Sequence, residues 1–135
     1  MLEAAMWKSK RRKLLSDIKL LGRWGEKRCW KFLKTKGLKN LAQNFSCKAG
    51  EIDLIMVDTD GTIVFVEVKT RADESFDSVE SVVTTTKKAK LFKTARHFIA
   101  ANNIEDRPYR FDVVTIVLGQ TGKPQIRHYE NALLP

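Results

Sequence analysis

Three ionisable side chains interrupt two apolar runs in the middle of this chain. Asp53 sits within Ile52-Asp53-Leu54-Ile55-Met56-Val57, and Glu67 and Lys69 sit within Thr62-Ile63-Val64-Phe65-Val66-Glu67-Val68-Lys69. Runs that are apolar on both parities read as strands covered on both faces, so a charge inside one lies where core should be. Side chains two apart share a face, which puts Glu67 and Lys69 together. Between the runs, Asp58-Thr59-Asp60-Gly61 reads as a turn. A three-residue loop with Gly61 left-handed in a bulge pairs Asp58 with Thr62 and sets Asp53 directly opposite Glu67. Two carboxylates facing each other at roughly 5 Å repel, and desolvation raises the cost. A divalent cation between them relieves both. Mg²⁺ is typically held by one or two carboxylates plus waters and phosphate oxygens. Lys69, further along the same face, is placed to position or deprotonate an attacking water and to neutralise a scissile phosphate. The chemistry suggested is phosphodiester hydrolysis. The plainer alternative is a strand-end ion pair of Glu67 with Lys69, with Asp53 in a turn.

Glu26 is a fourth candidate. Glu26, Cys29, Trp30 and Leu33 recur at i, i+3, i+4 and i+7, one stripe of a helix. Three of them are core types, so the carboxylate heading the stripe aims inward. Two readings stay open: a third metal ligand at the rim of the site, or a first-turn glutamate favoured by the helix dipole. Cations suited to a phosphate backbone lie nearby. Thr70 and Arg71 follow Lys69, where a strand end meets either a bound phosphate or solvent. Lys87, Lys90 and Lys93 load a later helix, and Lys90, Lys93 and His97 share a face that could track a backbone. A solvated face opposite Leu91, Phe92, Ala95 and Phe98 is the commoner explanation. Lys87 stands in the first turn, where cations are disfavoured, which points it at phosphate. Glu51 shares the parity of Asp53. Asp112, at the start of a buried strand, reads as a partner of Arg110 or of a nearby helix. His97 and His128 show no partner spacing and read as surface residues. Trp7, Trp24 and Trp30 read as core or interface anchors, with Trp24 nearest the rim of the site.

The elements needed to position these groups are visible. Leu14, Leu15, Ile18 and Leu21 recur at helical spacing, so residues 2–20 read as a basic helix. A second helix runs from Gly22 to about Lys36 and stops at Gly37. Leu38 to Ala49 is a connecting stretch with a short edge strand. Beyond the two central strands, residues 70–83 read as a loop and Thr86 to Asn102 as a helix with a threonine cap. Arg110 to Leu118 is a third strong strand, and Gln125 to Tyr129 a short edge strand. The order α-β-β-β-α-β makes this an α/β chain, a mixed β-sheet flanked by helices. Residues 1–21 form a basic arm and residues 22–135 the folded domain.

With 135 residues, the chain has room for one ordinary domain. No apolar run approaches the roughly 18 residues of a membrane span. The basic stretch Lys8 to Lys13 leads into Leu14-Leu15-Ser16-Asp17, and Asp17 cuts off any signal-peptide core. Cys29 and Cys47 make neither a disulfide framework nor a zinc site. A protein of the reducing cytoplasm, with no membrane partner, is expected. The net charge is +9, but residues 1–48 carry 14 basic and 3 acidic side chains, residues 49–80 carry 2 and 9, and residues 81–135 carry 9 and 4. The basic parts suit a polyanion through counterion release. The acidic island between them repels that polyanion unless cations fill it.

Asp53 and then, after 13 intervening residues, Glu67-Val68-Lys69 resemble the D…(D/E)xK signature of the restriction-endonuclease-like nuclease fold. A lone signature of this kind is weak. Four blocks in order are stronger: Gly22-Arg23-Trp24-Gly25-Glu26, Gly50-Glu51-Ile52-Asp53-Leu54-Ile55, Val64 to Arg71, and Arg110-Phe111-Asp112-Val113-Val114. From about Gly22 to Leu118 the chain resembles the bacterial YraN-like family of small predicted nucleases, which is similar to archaeal Holliday-junction resolvases. The resemblance implies a restriction-endonuclease-like fold and a Mg²⁺- or Mn²⁺-dependent nuclease acting on DNA, including branched or damaged DNA. It implies Asp53 and Glu67 as metal ligands, Lys69 as the catalytic lysine, and Glu26 as the helix-borne acid of the resolvase-like branch. Ile52 stands where many relatives of the wider fold carry proline, and Cys29 where a small residue is expected. Nothing in the acidic constellation is missing, and the arm before Gly22 lies outside the resemblance. A homodimer is an expectation wherever two symmetric cuts are needed. The rivals are a nucleic-acid-binding module of the same fold without turnover, and an adaptor whose basic arm binds an acidic partner.

Overall fold

A computed structural model of the chain describes residues 2–73 and 83–134. It opens with helices α1 (Leu2–Leu15) and α2 (Ile18–Thr35), followed by strands β1 (Lys39–Cys47), β2 (Gly50–Val57) and β3 (Ile63–Arg71). Helix α3 (Thr85–Ala101) then leads to β4 (Tyr109–Val117) and β5 (Gln125–Leu133). The five strands make one sheet in chain order. β3 and β4 are parallel, and the other neighbouring pairs are antiparallel. A parallel pair needs a crossover, and α3 lies in it. This is the α/β architecture expected, a mixed sheet flanked by helices. Among the described residues, no helix is long and apolar enough to cross a membrane.

The central strands are apolar on both faces, and each face has a helix to cover it. On one, Ile63, Phe65, Phe111 and Val113 pack with Leu91, Ala95 and Phe98 of α3. Phe65 stacks on Phe111 with ring centroids 5.2 Å apart, and Phe45 meets Phe98 edge-on at 5.1 Å. On the other, Leu54, Met56, Val64, Val66 and Val114 pack with Cys29 and Leu33 of α2. α1 joins through a third cluster, Trp7 and Leu14 with Leu118. Trp7 Nε1 and Arg11 Nε both donate to the Gly119 carbonyl, at 3.3 and 3.0 Å.

The element boundaries depart from the sequence expectations in three places. The first helix ends at Leu15 rather than near residue 20. Asp17 caps α2, accepting from the Lys19 and Leu20 N–H groups at 3.0 and 3.3 Å, so Gly22 falls inside α2 and begins no element. β1 is a full nine-residue strand rather than a short one. β5 continues past Tyr129 to Leu133, because a register shift between Phe111 and Val113 lets the ladder resume beyond the buried Asp112. Residues 74–82 of the expected loop lie outside the described residues.

Asp112 anchors a polar network beneath α2. It accepts from Arg110 Nε at 3.0 Å, from the Asn131 N–H at 2.8 Å and from His128 Nε2 at 2.7 Å. Arg110 Nη1 also reaches Asp58 Oδ2 at 2.8 Å. His128 is therefore not the surface residue its spacing suggested, and its side chain is 2% exposed. Lys36 Nζ lies 2.7 Å from His128 Nδ1. An ammonium group only donates, so Nδ1 accepts and the Nε2–H donates to Asp112.

Candidate active site

The β2–β3 turn sets the register of the site. The Asp58 N–H donates to the Thr62 carbonyl at 2.9 Å, and Gly61 has φ 88°, a conformation open to glycine at no steric cost. The ladder pairs Val57 with Ile63, Met56 with Val64, Ile55 with Phe65 and Leu54 with Val66. Just beyond that last pair, Asp53 and Glu67 line the same two cavities. The ladder ends there, and the Val68 N–H donates to Asp53 Oδ2 at 3.2 Å. Glu67 is 3% exposed. Lys87 Nζ from the first turn of α3 and Lys69 Nζ approach its Oε1 to 2.5 and 3.3 Å. Both ammonium groups thus neutralise a carboxylate that is otherwise cut off from solvent. Burial, and then the Glu67 charge, push the Asp53 carboxyl up to about 7, against the opposing Val68 N–H. Burial, followed by the neighbouring Lys87, lowers Lys69. Burial also acts to lower Lys87, but its ion pair with Glu67 outweighs that and raises it.

α2 reaches the site through a close approach. A Cβ at Gly25 would overlap Thr70 Oγ1 on β3, so glycine lets the helix settle against the strand. The next residue, Glu26, lines a cavity of about 330 Å³ with Asp53, Glu67, Lys69, Arg71 and Lys87. Burial raises the Glu26 carboxyl, a hydrogen bond from Asn44 opposes this, and the charges of Glu51 and Glu67 add to the rise. Asn44 was missed in the sequence. It has φ 51° and lies opposite Asp53, between the Gln43–Leu54 and Phe45–Ile52 pairs. Ile52 packs in the α3 layer and Leu54 in the α2 layer, although two residues apart in a regular strand share a face. β2 therefore changes face at Asp53. The available signal was an asparagine inside a strand, a residue type that tolerates left-handed backbone.

Among the described residues, no three His, Cys, Asp or Glu side chains gather closely enough to hold a metal ion together. The structure brings Asp53 and Glu67 to one cavity, close enough for the Glu67 charge to act on Asp53, and leaves Glu26 on the same cavity wall, bonded to Asn44. The pair fits a Mg²⁺ or Mn²⁺ ion that keeps water or phosphate oxygens as its other ligands. The repulsion between Asp53 and Glu67 is what a cation would relieve. Lys87, expected at a phosphate, stands inside the site. Lys90 lines an adjoining cavity of about 540 Å³ with Glu51, Asp53, Glu67 and Lys87. Arg71 Nη1 donates to the Thr70 carbonyl at 3.0 Å. Lys93 and His97 are exposed on α3, and Lys93 lines neither cavity. Cys29 is buried, which pushes its thiol up and keeps it from acting as a nucleophile.

Residues 25–116 match the model of a family described as Uncharacterised protein family UPF0102. A UPF0102 protein of Sulfurihydrogenibium sp. is 43% identical over 111 residues, covering 82% of this chain and 91% of that protein. UPF0102 proteins of Pelobacter propionicus and Nitrosomonas eutropha are 37% and 39% identical, covering 86% and 87% of this chain and 84% and 97% of theirs. Among solved structures, Pyrococcus furiosus SfsA in complex with Ca²⁺ aligns with a TM-score of 0.38 and 12% identity, over 83% of this chain and 61% of that one.

Proposed function

This chain belongs to the uncharacterised protein family UPF0102, and on that footing we propose that it is a Mg²⁺- or Mn²⁺-dependent nuclease of the restriction-endonuclease-like kind, hydrolysing phosphodiester bonds in DNA. The observation that carries the proposal is the half-buried Asp53 beside the buried Glu67, two carboxylates whose charges act on each other, with Lys69 3.3 Å from Glu67. Such a pair costs stability in a core, and a cation site accounts for that cost.

Asp53 and Glu67 would hold the cation. When bound, it supplies charge to the phosphate as negative charge builds and acidifies water. Lys69 gives up its proton more readily than an ordinary lysine, since burial and Lys87 disfavour its ammonium form. As a free amine it can take a proton from the attacking water, and as an ammonium it offsets a phosphate oxygen. Glu26 would serve as a third acid at the rim, and Arg71, Lys87 and Lys90 would hold flanking phosphates. The preferred substrate would be branched or damaged DNA, and paired cuts on a four-way junction would further require a homodimer.

The test is cleavage of labelled linear duplex, single strand, flap and four-way junction with Mg²⁺ or Mn²⁺. Glu67→Ala and Lys69→Ala proteins, purified identically, run beside the wild type. Cutting that both substitutions abolish supports the nuclease, and cutting that survives both is a contaminant's. A second reading draws support from Lys87, whose ammonium pairs with Glu67. It is a nucleic-acid-binding module of the same fold without turnover. That reading predicts salt-sensitive DNA binding, no metal-dependent cutting, and binding that Glu67→Ala leaves intact.

A further inference from the structure

Between α1 and α2 runs an open groove of about 630 Å³, within the range of about 300–1,000 Å³ common to ligand pockets. Met6, Leu20 and Trp24 give it an apolar floor, Lys10, Lys13, Arg23 and Lys27 supply cations, and no acidic residue lines it. The groove is preformed. Trp7 packs 6.1 Å from the Trp24 ring and donates to the Gly119 carbonyl, which Arg11 also holds, so α1 is pinned to the β4–β5 connection. Eight of the nine lining residues precede residue 25, where the family match begins. The groove also leads somewhere. Arg23 and Lys27 line the next cavity along with Glu26 and Asn44, and Glu26 in turn lines the cavity of Asp53 and Glu67.

We propose that this groove binds unpaired nucleotides of a strand that continues to the Asp53–Glu67 site, with bases on the apolar floor and phosphates on the surrounding cations. The proposal rests on the nuclease reading above and names the form of nucleic acid that the site takes. Charge alone would suit any polyanion. The apolar floor is more selective, because a paired base hides its faces in the stack and offers only its edges. An unstacked base presents a face that can cover Leu20 and join Arg28, whose guanidinium lies 5.0 Å from the Trp24 ring centroid, on that ring while its phosphates reach the lysines. A duplex would meet the cations and leave the floor bare.

The experiment compares full-length wild type with Ser9→Trp, which fills the groove from an exposed position on its wall. Fluorescence anisotropy in EDTA reads binding to a short single strand and to a blunt duplex of the same length. The expected result is about tenfold weaker single-strand binding in Ser9→Trp, with duplex binding changed by less than about twofold. Equal losses on both, or none on either, would overturn the proposal. Photo-crosslinking of wild type to an oligonucleotide carrying 5-iodouridine provides a measure independent of the variant's folding. An adduct on Trp24 from the unpaired strand supports the groove, and adducts confined to other peptides overturn it. Tighter binding of an acidic, leucine-containing peptide, lost in Ser9→Trp, would assign the groove to a protein partner and also overturn it. Cleavage with no groove adduct leaves the nuclease reading standing and removes this one, whereas a protein that neither cuts nor binds nucleic acid removes both.

Discussion

Asp53 reports directly on the repulsion that its surroundings impose. Its carboxyl is raised from 3.8 to about 7, by burial first and by Glu67 second. A carboxyl with a raised folded pKa binds its proton more tightly in the folded state, so protonation favours folding. This contribution is full below a pH of about 4, falls as pH rises to about 7, and stays low above that. Asp53→Asn removes the ionisation. Thermal melts in metal-free buffer at about pH 8 should show the variant to be more stable than wild type, with the gap closing at about pH 4. A less stable variant at the higher pH would mean that favourable partners hold the Asp53 charge. Mg²⁺ should raise the wild-type melting temperature at the higher pH and leave that of Asp53→Asn nearly unchanged, because a ligating carboxylate must be ionised. Lys87 competes for the same charge. With Lys87→Met, Lys69 is the one ammonium left against Glu67 among the described residues. Calorimetric titration should then find Mg²⁺ bound more tightly than in wild type. Unchanged affinity would show that Lys87 moves aside at no cost.

At the scale of elements, the site depends on how closely α2 lies against the end of β3. Gly25→Ala introduces an atom that overlaps Thr70 Oγ1. Denaturant unfolding should show a loss of about 1–3 kcal/mol, typical of overpacking. Thr70→Ala in the same chain should restore most of it, and simple additivity of the two changes would refute the contact. Asn44 performs a second positioning task, placing its left-handed backbone opposite Asp53 and its side chain against Glu26. Asn44→Ala should cost about 1–2 kcal/mol, since a Cβ is strained there and the side-chain bond is lost. Asn44→Gly should be the more stable of the two, because glycine keeps the backbone at ease. The reverse order would mean that the left-handed backbone carries no strain for a residue with a Cβ.

Across the whole molecule, the half-buried Asp53 and the buried Asp112 move stability in opposite directions with pH. Burial acts to raise Asp112, but bonds from His128, Arg110 and the Asn131 N–H outweigh it and hold the carboxyl below its ordinary value. Its stabilisation is therefore present above a pH of about 4 and is lost as pH falls below that, the reverse of Asp53. Through Arg110 it reaches the β2–β3 turn, and through His128 and Lys36 the end of α2. Asp112→Ala leaves buried partners without their carboxylate and should cost about 3–5 kcal/mol. A loss under about 1 kcal/mol would mean that water replaces the carboxylate.

Local chemistry was enough to read much of this arrangement. The alternation along β2 and β3, with a glycine at position 61, determined the hairpin pairing as far as Leu54 and Val66, because register depends on the loop and its flanking strands. The apolar faces of Ile63 to Val66 likewise determined that helices cover both sides of the sheet. The Asp17 cap was local too, but the helical spacing of Leu14 to Leu21 ran across it and concealed it. Contacts between distant segments were decided only in three dimensions. The approach of Lys87 to Glu67, the turn of Glu26 toward Asn44, the burial of His128 against Asp112 and the groove between α1 and α2 all follow from how the helices settle on the sheet. The hydrophobic effect that drives this packing is non-directional. Spacing along the chain shows which faces are buried, while shape complementarity decides which polar side chains meet at their edges.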